Sequence, residues 1–224
     1  MGRRVLIVLF ILCLGQARAM ADFDGIHSIV MNSAATLQDK EVMIGIFAPL
    51  GYGVNDDISL FLHPILELLL TPNLYVRGRV LARKNVDISI QIGYMQSFLD
   101  PSRIDIPAVG HLLLLTTFYP GKNWSITVHG GYIFLLNPVD HGLQAGIDAN
   151  WLFTPSNMVT LSISEQWFYH QRFQIPYGML VFTHAFDTIR ISAGLAFSRI
   201  PMQVGPSQVK ILPVFPIIDV WWRF

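Results

Sequence analysis

Apolar and polar residues alternate one by one along most of this chain, and this period of two constrains the fold more than any other feature. In residues 86–98 apolar side chains occupy all but one of the even positions, and Asp87, Ser89 and Gln91 stand between them. Because successive side chains of a strand point to opposite faces, each such segment predicts a β-strand with one apolar and one polar face. The same pattern recurs in three further segments: residues 58–70, 143–153 and 158–170.

The chain is apolar without containing a segment that could cross a membrane as a helix. Its mean hydropathy is +0.47 and 13% of its residues are charged. After the N-terminus, no uninterrupted apolar run reaches the length that a membrane helix needs. The chain is therefore either an apolar soluble β-domain or a membrane barrel whose lipid-facing residues alternate with interior ones. We favour the barrel, and a closed one, since an open sheet edge in lipid would leave backbone groups unpaired.

Short turns and longer connections alternate along the sequence, as they do in an up-and-down barrel. Eleven strands follow from Glu41 onward, and residues 26–36 are the candidate for a twelfth, because such barrels have even strand counts. We therefore predict an all-β, transmembrane, antiparallel barrel of about 12 strands, with ten strands as the alternative. The predicted short turns are residues 55–57, 83–85, 120–123, 155–157 and 186–188, and the predicted longer connections are residues 100–110, 137–142, 171–176 and 203–210.

The N-terminus has the pattern of an export signal. Arg3 and Arg4 supply a positive start, an apolar stretch follows, and residues 17–19 form a small-x-small cleavage site. We predict a signal peptide at residues 1–19, with cleavage after Ala21 as the alternative, and one barrel domain over residues 22–224. The single cysteine, Cys13, lies inside this signal, so we expect no disulfide in the mature chain.

The C-terminal strand has an apolar face and ends on an aromatic residue. Asp219 and Arg223 alternate with apolar side chains, and Phe224 is the last residue. This ending, the signal and the alternating strands together resemble the outer-membrane β-barrel proteins of Gram-negative bacteria. The resemblance implies a location in the cell outer membrane, contact with its lipid, and recognition of the C-terminal strand by the barrel-assembly machinery.

Aromatic residues fall near the ends of the predicted strands. Aromatic side chains form belts at both membrane–water interfaces of such barrels. We therefore predict these residues at the membrane interfaces: Trp124, Trp151, Trp167, Tyr169, Trp222 and Phe224.

The predicted inward positions carry four acids and four bases. They give either a charged constriction that selects solutes or an ion-pair network that ties the wall together. The candidate lumen residues are Glu67, Arg77, Arg79, Asp87, His63, Asp148 and Arg190, and Asp219 and Arg223 also face inward. Residues 111–118 and 178–184 are apolar on both faces, which predicts either a site for a hydrophobic ligand or packing beneath an inserted loop. The candidate for that loop is residues 100–110.

The sequence shows no pattern that we assign to catalysis, metal binding or a cofactor. Ser125 and His129 are close in sequence, but no acid accompanies them at a defined spacing. Without the signal, 12 basic residues face 15 acidic ones, which argues against nucleic-acid binding. We expect a narrow passive channel for small solutes or a structural barrel, with a small solute or hydrophobic ligand as its partner. The alternatives are a lipid-modifying enzyme of the outer membrane and a soluble periplasmic lipid-binding β-domain.

Overall fold

The protein is a closed antiparallel barrel of twelve strands, as the sequence predicts. The structure, a computed structural model, describes residues 23, 25–68, 70–96, 98, 108–136, 139–170, 173–198, 201–204, 207–210 and 214–224. The predicted signal peptide lies outside these residues. Within them, neither helical segment has the length and hydropathy that a membrane-crossing helix requires.

Each barrel strand pairs with its neighbour in sequence until β11, which pairs with the last strand. Between these two lies a separate hairpin of β12 (Pro201–Val204) and β13 (Ser207–Lys210). The barrel strands are β1 (Val42–Gly45), β2 (Leu50–Asn55), β3 (Ile58–Leu62), β4 (Asn73–Arg83), β5 (Val86–Met95), β6 (Val109–Gly121), β7 (Trp124–Leu136), β8 (Val139–Thr154), β9 (Asn157–Phe168), β10 (Phe173–Phe186), β11 (Ile189–Ser198) and β14 (Val214–Arg223).

The barrel closes where the shortest strand, β1, meets the C-terminal strand, β14. Ile44 is paired with Trp222, and Val42 and Phe224 exchange two backbone hydrogen bonds of 3.1 and 2.9 Å. Beyond the end of β1, the Phe47 amide donates to the Asp219 carboxylate at 2.9 Å. The last residue of the chain is therefore part of the seam that removes the open edge.

The strand count is correct, but the prediction that residues 26–36 form a strand is wrong. The twelfth strand arises because the segment from Glu41 to Asn55 folds into two strands, β1 and β2. Pro49, which lacks an amide donor, lies in the bend between them. Gly45 permits this bend, since a Cβ there would lie 2.4 Å from the Cβ of Ala48. Residues 26–36 instead enter the lumen, as described below.

The predicted strand over residues 58–70 is also shorter than expected. β3 ends at Leu62, and a short helix, α1 (Pro64–Leu68), follows it. Pro64 suits the first turn of a helix and cannot donate to a strand ladder. Glu67, predicted to face the lumen, therefore lies on α1 and is exposed, with its Oε1 accepting from the Asn73 amide at 2.9 Å.

All five predicted short turns lie at one end of the barrel, which we call the short-turn end. At the opposite end, the far end, two strands extend into segments predicted as loops: β8 begins at Val139 and β10 at Phe173. The predicted connection over residues 203–210 contains most of the separate hairpin. Of residues 100–110, only the last three lie within the described part of the chain.

The outward face of the barrel is apolar along its middle. Exposed residues on neighbouring strands include Val128, Ile147 and Ile163, which are directly paired across β7, β8 and β9. A soluble protein would rarely expose such a continuous apolar band. Along the strands, the apolar residues of this band alternate with polar residues that face the interior. This is the pattern of a barrel that spans a membrane.

A charge in the middle of this band should destabilise the barrel in lipid far more than a charge at its end. We expect Ile147→Arg to lower the free energy of unfolding by about 2–4 kcal/mol, and Val139→Arg, at the start of β8, by about 0–1 kcal/mol. The measurement is reversible folding into phospholipid vesicles under urea. Equal losses for the two variants would contradict a lipid-facing band.

Candidate functional site

Residues 25–37 lie inside the barrel near the short-turn end, and we call this segment the plug. It begins with a 3-10 helix, Ile26–Ser28, preceded by Gly25 at φ +85°. Asn32 has a positive φ of 55°, and the Ser33 hydroxyl donates back to the carbonyl of Ile29. These local bonds compete with extended backbone, which explains why the plug does not form a strand despite its weak alternation.

Side chains of the barrel wall bind the main chain of the plug. Arg77 Nη1 donates to the carbonyls of Val30 and Ala35, each at 2.9 Å. Further bonds come from β3, β5, β6, β7, β8 and β14: Ser59 to the Leu37 amide, Ser89 to the Ala34 carbonyl, Thr117 to the Ala34 amide, Thr127 and Asn150 to the Asn32 carbonyl, and Arg223 to the Ser28 carbonyl. A water-filled lumen would also require polar wall residues. In this barrel, those residues are hydrogen-bonding partners of the plug.

Apolar packing holds the plug from its other sides. Ile26, Ile29 and Leu37 are buried among wall side chains near the short-turn end. The wall residues of this cluster are Met43, Phe61, Tyr119, Leu152, Met158, Ala185 and Trp221. Burying each large aliphatic side chain contributes about 1.5–3 kcal/mol. Residues 25–37 are thus an inserted segment of the kind that the sequence predicts, but not the candidate named there. Most of that candidate, residues 100–110, lies outside the described residues.

A cavity of about 480 Å³ lies between the plug and the far end. Val30, Met31 and Asn32 of the plug form part of its lining. The wall contributes apolar and polar side chains together, among them Phe61, Tyr75, Leu113, Leu115, Gln91, Gln144, Gln166 and Tyr177. This mixture suits a small molecule with both apolar and hydrogen-bonding parts.

The predicted lumen residues do not form one constriction. His63, Arg77 and Asp148 line the cavity. Asp87 is buried and accepts a hydrogen bond of 2.6 Å from the Tyr119 hydroxyl. Arg79 pairs with Asp57 at 3.1 Å, in the first short turn.

Arg190 and Glu67 are not among the residues that line the cavity. Arg190 is buried at the short-turn end, over the rings of Phe23 and Trp221. Glu67 is on α1, outside the strands. Arg77 contacts Gln91 and the plug, and Glu67 lies on a different element from these partners.

The predicted interface aromatics lie at both ends of the barrel. Trp124 and Trp151 stack at 5.3 Å near the short-turn end, where Trp222 and Phe224 are partly buried. Trp167 and Tyr169 lie at the far end, and Tyr169 contacts the His141 ring at 5.3 Å.

A buried histidine–carboxylate pair lies in the cavity wall. His129 Nδ1 is 3.1 Å from Asp148 Oδ2, and the Ser162 hydroxyl donates to the other oxygen of that carboxylate. Both side chains of the pair are largely buried. In the sequence, Ser125 is close to His129 and no acid stands at a defined spacing, because the length of the connection between β7 and β8 does not follow from sequence alone. With β7 ending at Leu136 and β8 starting at Val139, the register brings Asp148 opposite Thr127, next to His129.

A second cluster of potential ligand atoms lies at the far end. Asp140, His141 and His170 offer ligand atoms within 4.8 Å of one another. Asp140 Oδ1 accepts from the His170 amide at 3.0 Å and lies 3.1 Å from His170 Nδ1. The carboxylate thus already orders the end of β9. The sequence did not reveal this cluster, since His141 lies on β8 and His170 follows the end of β9.

No family model and no curated protein matches the chain. Among solved structures, it is similar to in-vitro folded OmpT, an outer membrane protein of Vibrio cholerae, with a TM-score of 0.46 and 9% identity over 79% of this chain and 64% of that one. It is likewise similar to outer-membrane expressed OmpT of Vibrio cholerae, with a TM-score of 0.45, 9% identity and the same coverage. The chain spans less than two thirds of the length of these proteins. The architecture given above rests on the strand pairing of the chain itself.

Loss of the Arg77 guanidinium should loosen the plug. Arg77→Met leaves the carbonyls of Val30 and Ala35 without that donor, at a cost of about 1–3 kcal/mol. The reporter is Val30→Cys in a chain with Cys13→Ser, and the measurement is its rate of reaction with a soluble maleimide. We expect Arg77→Met to accelerate labelling at least about tenfold, since 1.4 kcal/mol corresponds to a factor of ten.

The matched control is Arg79→Met, which removes an equal charge from the same strand but contacts the turn residue Asp57. It should label at the rate of the parent chain. Equal acceleration by both variants would show that Arg77 does not hold the plug.

Proposed function

We propose that this protein is an outer-membrane β-barrel that binds a small solute in a cavity entered from the outer side of the cell and closed toward the periplasm by the plug. The apolar outward band and the polar interior support the membrane location, together with the resemblance of the signal and C-terminal strand to outer-membrane barrels. In that orientation the short-turn end faces the periplasm, since such barrels have short periplasmic turns.

The observation that carries the proposal is the bonding of the plug across the lumen. Wall side chains of β3, β4, β5, β6, β7, β8 and β14 bond to its backbone, and its apolar residues fill the space between them. A segment held from this many strands crosses the lumen and does not merely line one wall. A barrel crossed in this way offers a binding cavity that the plug bounds on one side.

The lining of the cavity indicates the chemical class of the solute. Phe61, Leu113 and Leu115 offer apolar surface, and amides of Gln91, Gln144 and Gln166 offer donors and acceptors. A volume of about 480 Å³ falls within the range of small-molecule sites. The ligand that fits this surface is a small amphipathic molecule with a hydrogen-bonding end.

A narrow passive channel is the second candidate, and one observation favours it. The wall bonds to the plug through side chains, whereas the barrel strands bond to one another through their backbones. Displacing the plug would therefore leave the twelve-stranded ladder intact. In this alternative the plug is a gate, and solutes pass only after it has moved.

The proposal predicts that a soluble reagent reaches the cavity from the outer side of the cell and is stopped before the short-turn end. In chains with Cys13→Ser, we expect Gln166→Cys, which lines the cavity, to react with a charged, membrane-impermeant thiol reagent on intact cells. Ser125→Cys is the control, because this fully buried residue lies nearer the short-turn end and bonds to Asn150 at 3.2 Å. The Ser125→Cys variant should react at least about tenfold more slowly, which corresponds to a difference of about 1.4 kcal/mol in the activation free energy of labelling. Equal rates would argue against a cavity that is closed below.

Single-channel recording in planar bilayers separates the two candidate functions. The intact mature chain should give no steady conductance steps across salt and voltage, because the plug crosses the lumen near the short-turn end. A chain lacking residues 25–37 should conduct, since the polar wall side chains would then face water. Steady steps from the intact chain would favour the passive channel over the closed cavity.

A further inference from the structure

The cavity wall brings a serine, a histidine and a carboxylate into one row across three strands. His129 on β7 is paired with Gly146 on β8, and Gly146 is paired with Ser164 on β9. All three residues lie on the inward face, and His129 and Ser164 line the cavity. Asp148, two residues along β8 from Gly146, is on the same face.

Gly146 makes room for His129 and Ser164 to approach each other. A Cβ at this glycine would lie 2.5 Å from His129 Nε2 and 2.6 Å from Ser164 Cβ. The imidazole nitrogen and the serine side chain thus flank the same point above the glycine. Ser164 Oγ is one bond from Cβ, so rotation about χ1 carries it toward Nε2.

Asp148 fixes the orientation of the imidazole. Its Oδ2 lies 3.1 Å from His129 Nδ1, and Ser162 donates to Oδ1. An ionised carboxylate accepts and cannot donate, so the Nδ1 atom of a neutral His129 carries the proton. Nε2 is then the unprotonated nitrogen, and it faces Ser164 and the cavity. This is the relation that a general base needs to its nucleophile and to the acid that orients it.

Other histidines in the described part of the chain lack this combination. His111 lies 3.1 Å from the amide of Gln91, and His184 lies 2.6 Å from Asn157. His170 contacts Asp140, but its side chain is 69% exposed at the barrel end. His129 joins a buried carboxylate, a cavity and a facing serine in one place.

We propose that Ser164, His129 and Asp148 form a nucleophile, general base and orienting acid that hydrolyse a small carboxylic ester in the cavity. The inference rests on the proposed function in one respect, since the ester must enter the cavity. Apolar wall residues such as Leu113 and Leu115 suit its acyl chain. The amide group of Gln144, on β8 two residues from Gly146, supplies an N–H donor for the carbonyl oxygen.

The reaction proceeds in two balanced steps. Ser164 Oγ attacks the carbonyl carbon while its proton passes to His129 Nε2. The bond from that carbon to the alcohol oxygen then breaks, and the alcohol leaves with the proton from Nε2. Water, deprotonated by His129, attacks the acylated serine in the same way, which releases the carboxylic acid and restores the hydroxyl of Ser164.

The test uses the purified, folded full-length mature chain, an alkyl fluorophosphonate and p-nitrophenyl butyrate. We expect the probe to phosphonylate Ser164 with loss of fluoride, as located by mass spectrometry of peptides. Ser164→Ala should abolish labelling and ester hydrolysis, and His129→Gln should slow both by about 100-fold or more. Ser192→Ala is the matched control, since this inward serine lies on β11 and bonds to Thr183 at 2.9 Å. It should behave as the parent chain.

A cysteine at the same position separates failure of this proposal from failure of the cavity. If Ser164→Cys reacts with a small charged thiol reagent while the parent chain is not phosphonylated at Ser164, the cavity is accessible and the catalytic assignment is overturned. If Ser164→Cys is also unreactive, solutes do not reach this wall, and the proposed function fails together with the inference. Labelling that persists in Ser164→Ala would likewise overturn the assignment.

Discussion

Hydrogen bonding of the backbone in a medium without water is the constraint on which this structure depends. An amide exposed to lipid has no solvent partner, so the first and last strands of the sheet must pair and close the barrel. The chain meets this requirement at a short seam, where three residues of β1 pair with the last strand. Val42 and Phe224 complete the ladder at its end, and Glu41 and Arg223 form a buried ion pair on the same two segments. The closure thus combines a short ladder with a buried charge pair.

The same constraint acts inside the barrel and explains much of its polar interior. The plug has irregular backbone, so its carbonyls and amides need partners that a ladder cannot supply. Ser59, Ser89, Thr117 and Thr127 are fully buried, and each bonds to the plug backbone. Small inward hydroxyls therefore do not by themselves indicate a water-filled pore. In this protein they bind the main chain of an inserted segment.

The sequence predicts well which residues face outward, because contact with lipid requires apolar side chains on one face of every strand. The alternation in residues 86–98 and 143–153, and the five short turns, predicted both the strands and their direction. The sequence pattern could not distinguish a strand from an inserted segment. Residues 26–36 alternate weakly, and the bonds that place them come from distant wall residues such as Arg77. Pro64 was the local signal that β3 ends early. The site was beyond sequence reasoning for a geometric reason: Asp148 becomes a neighbour of His129 only once the register of β7 and β8 is fixed, and that register depends on where each strand ends.

Arg77 links the plug to the cavity. One of its nitrogens bonds to two plug carbonyls, and the other two bond to Gln91, which lines the cavity. A guanidinium has five donors in a fixed plane, so a solute group that turns it must disturb both sets of bonds. Arg77 thus joins the plug and this part of the cavity wall in one hydrogen-bonded network. Glu67, which lies on α1, takes no part in it.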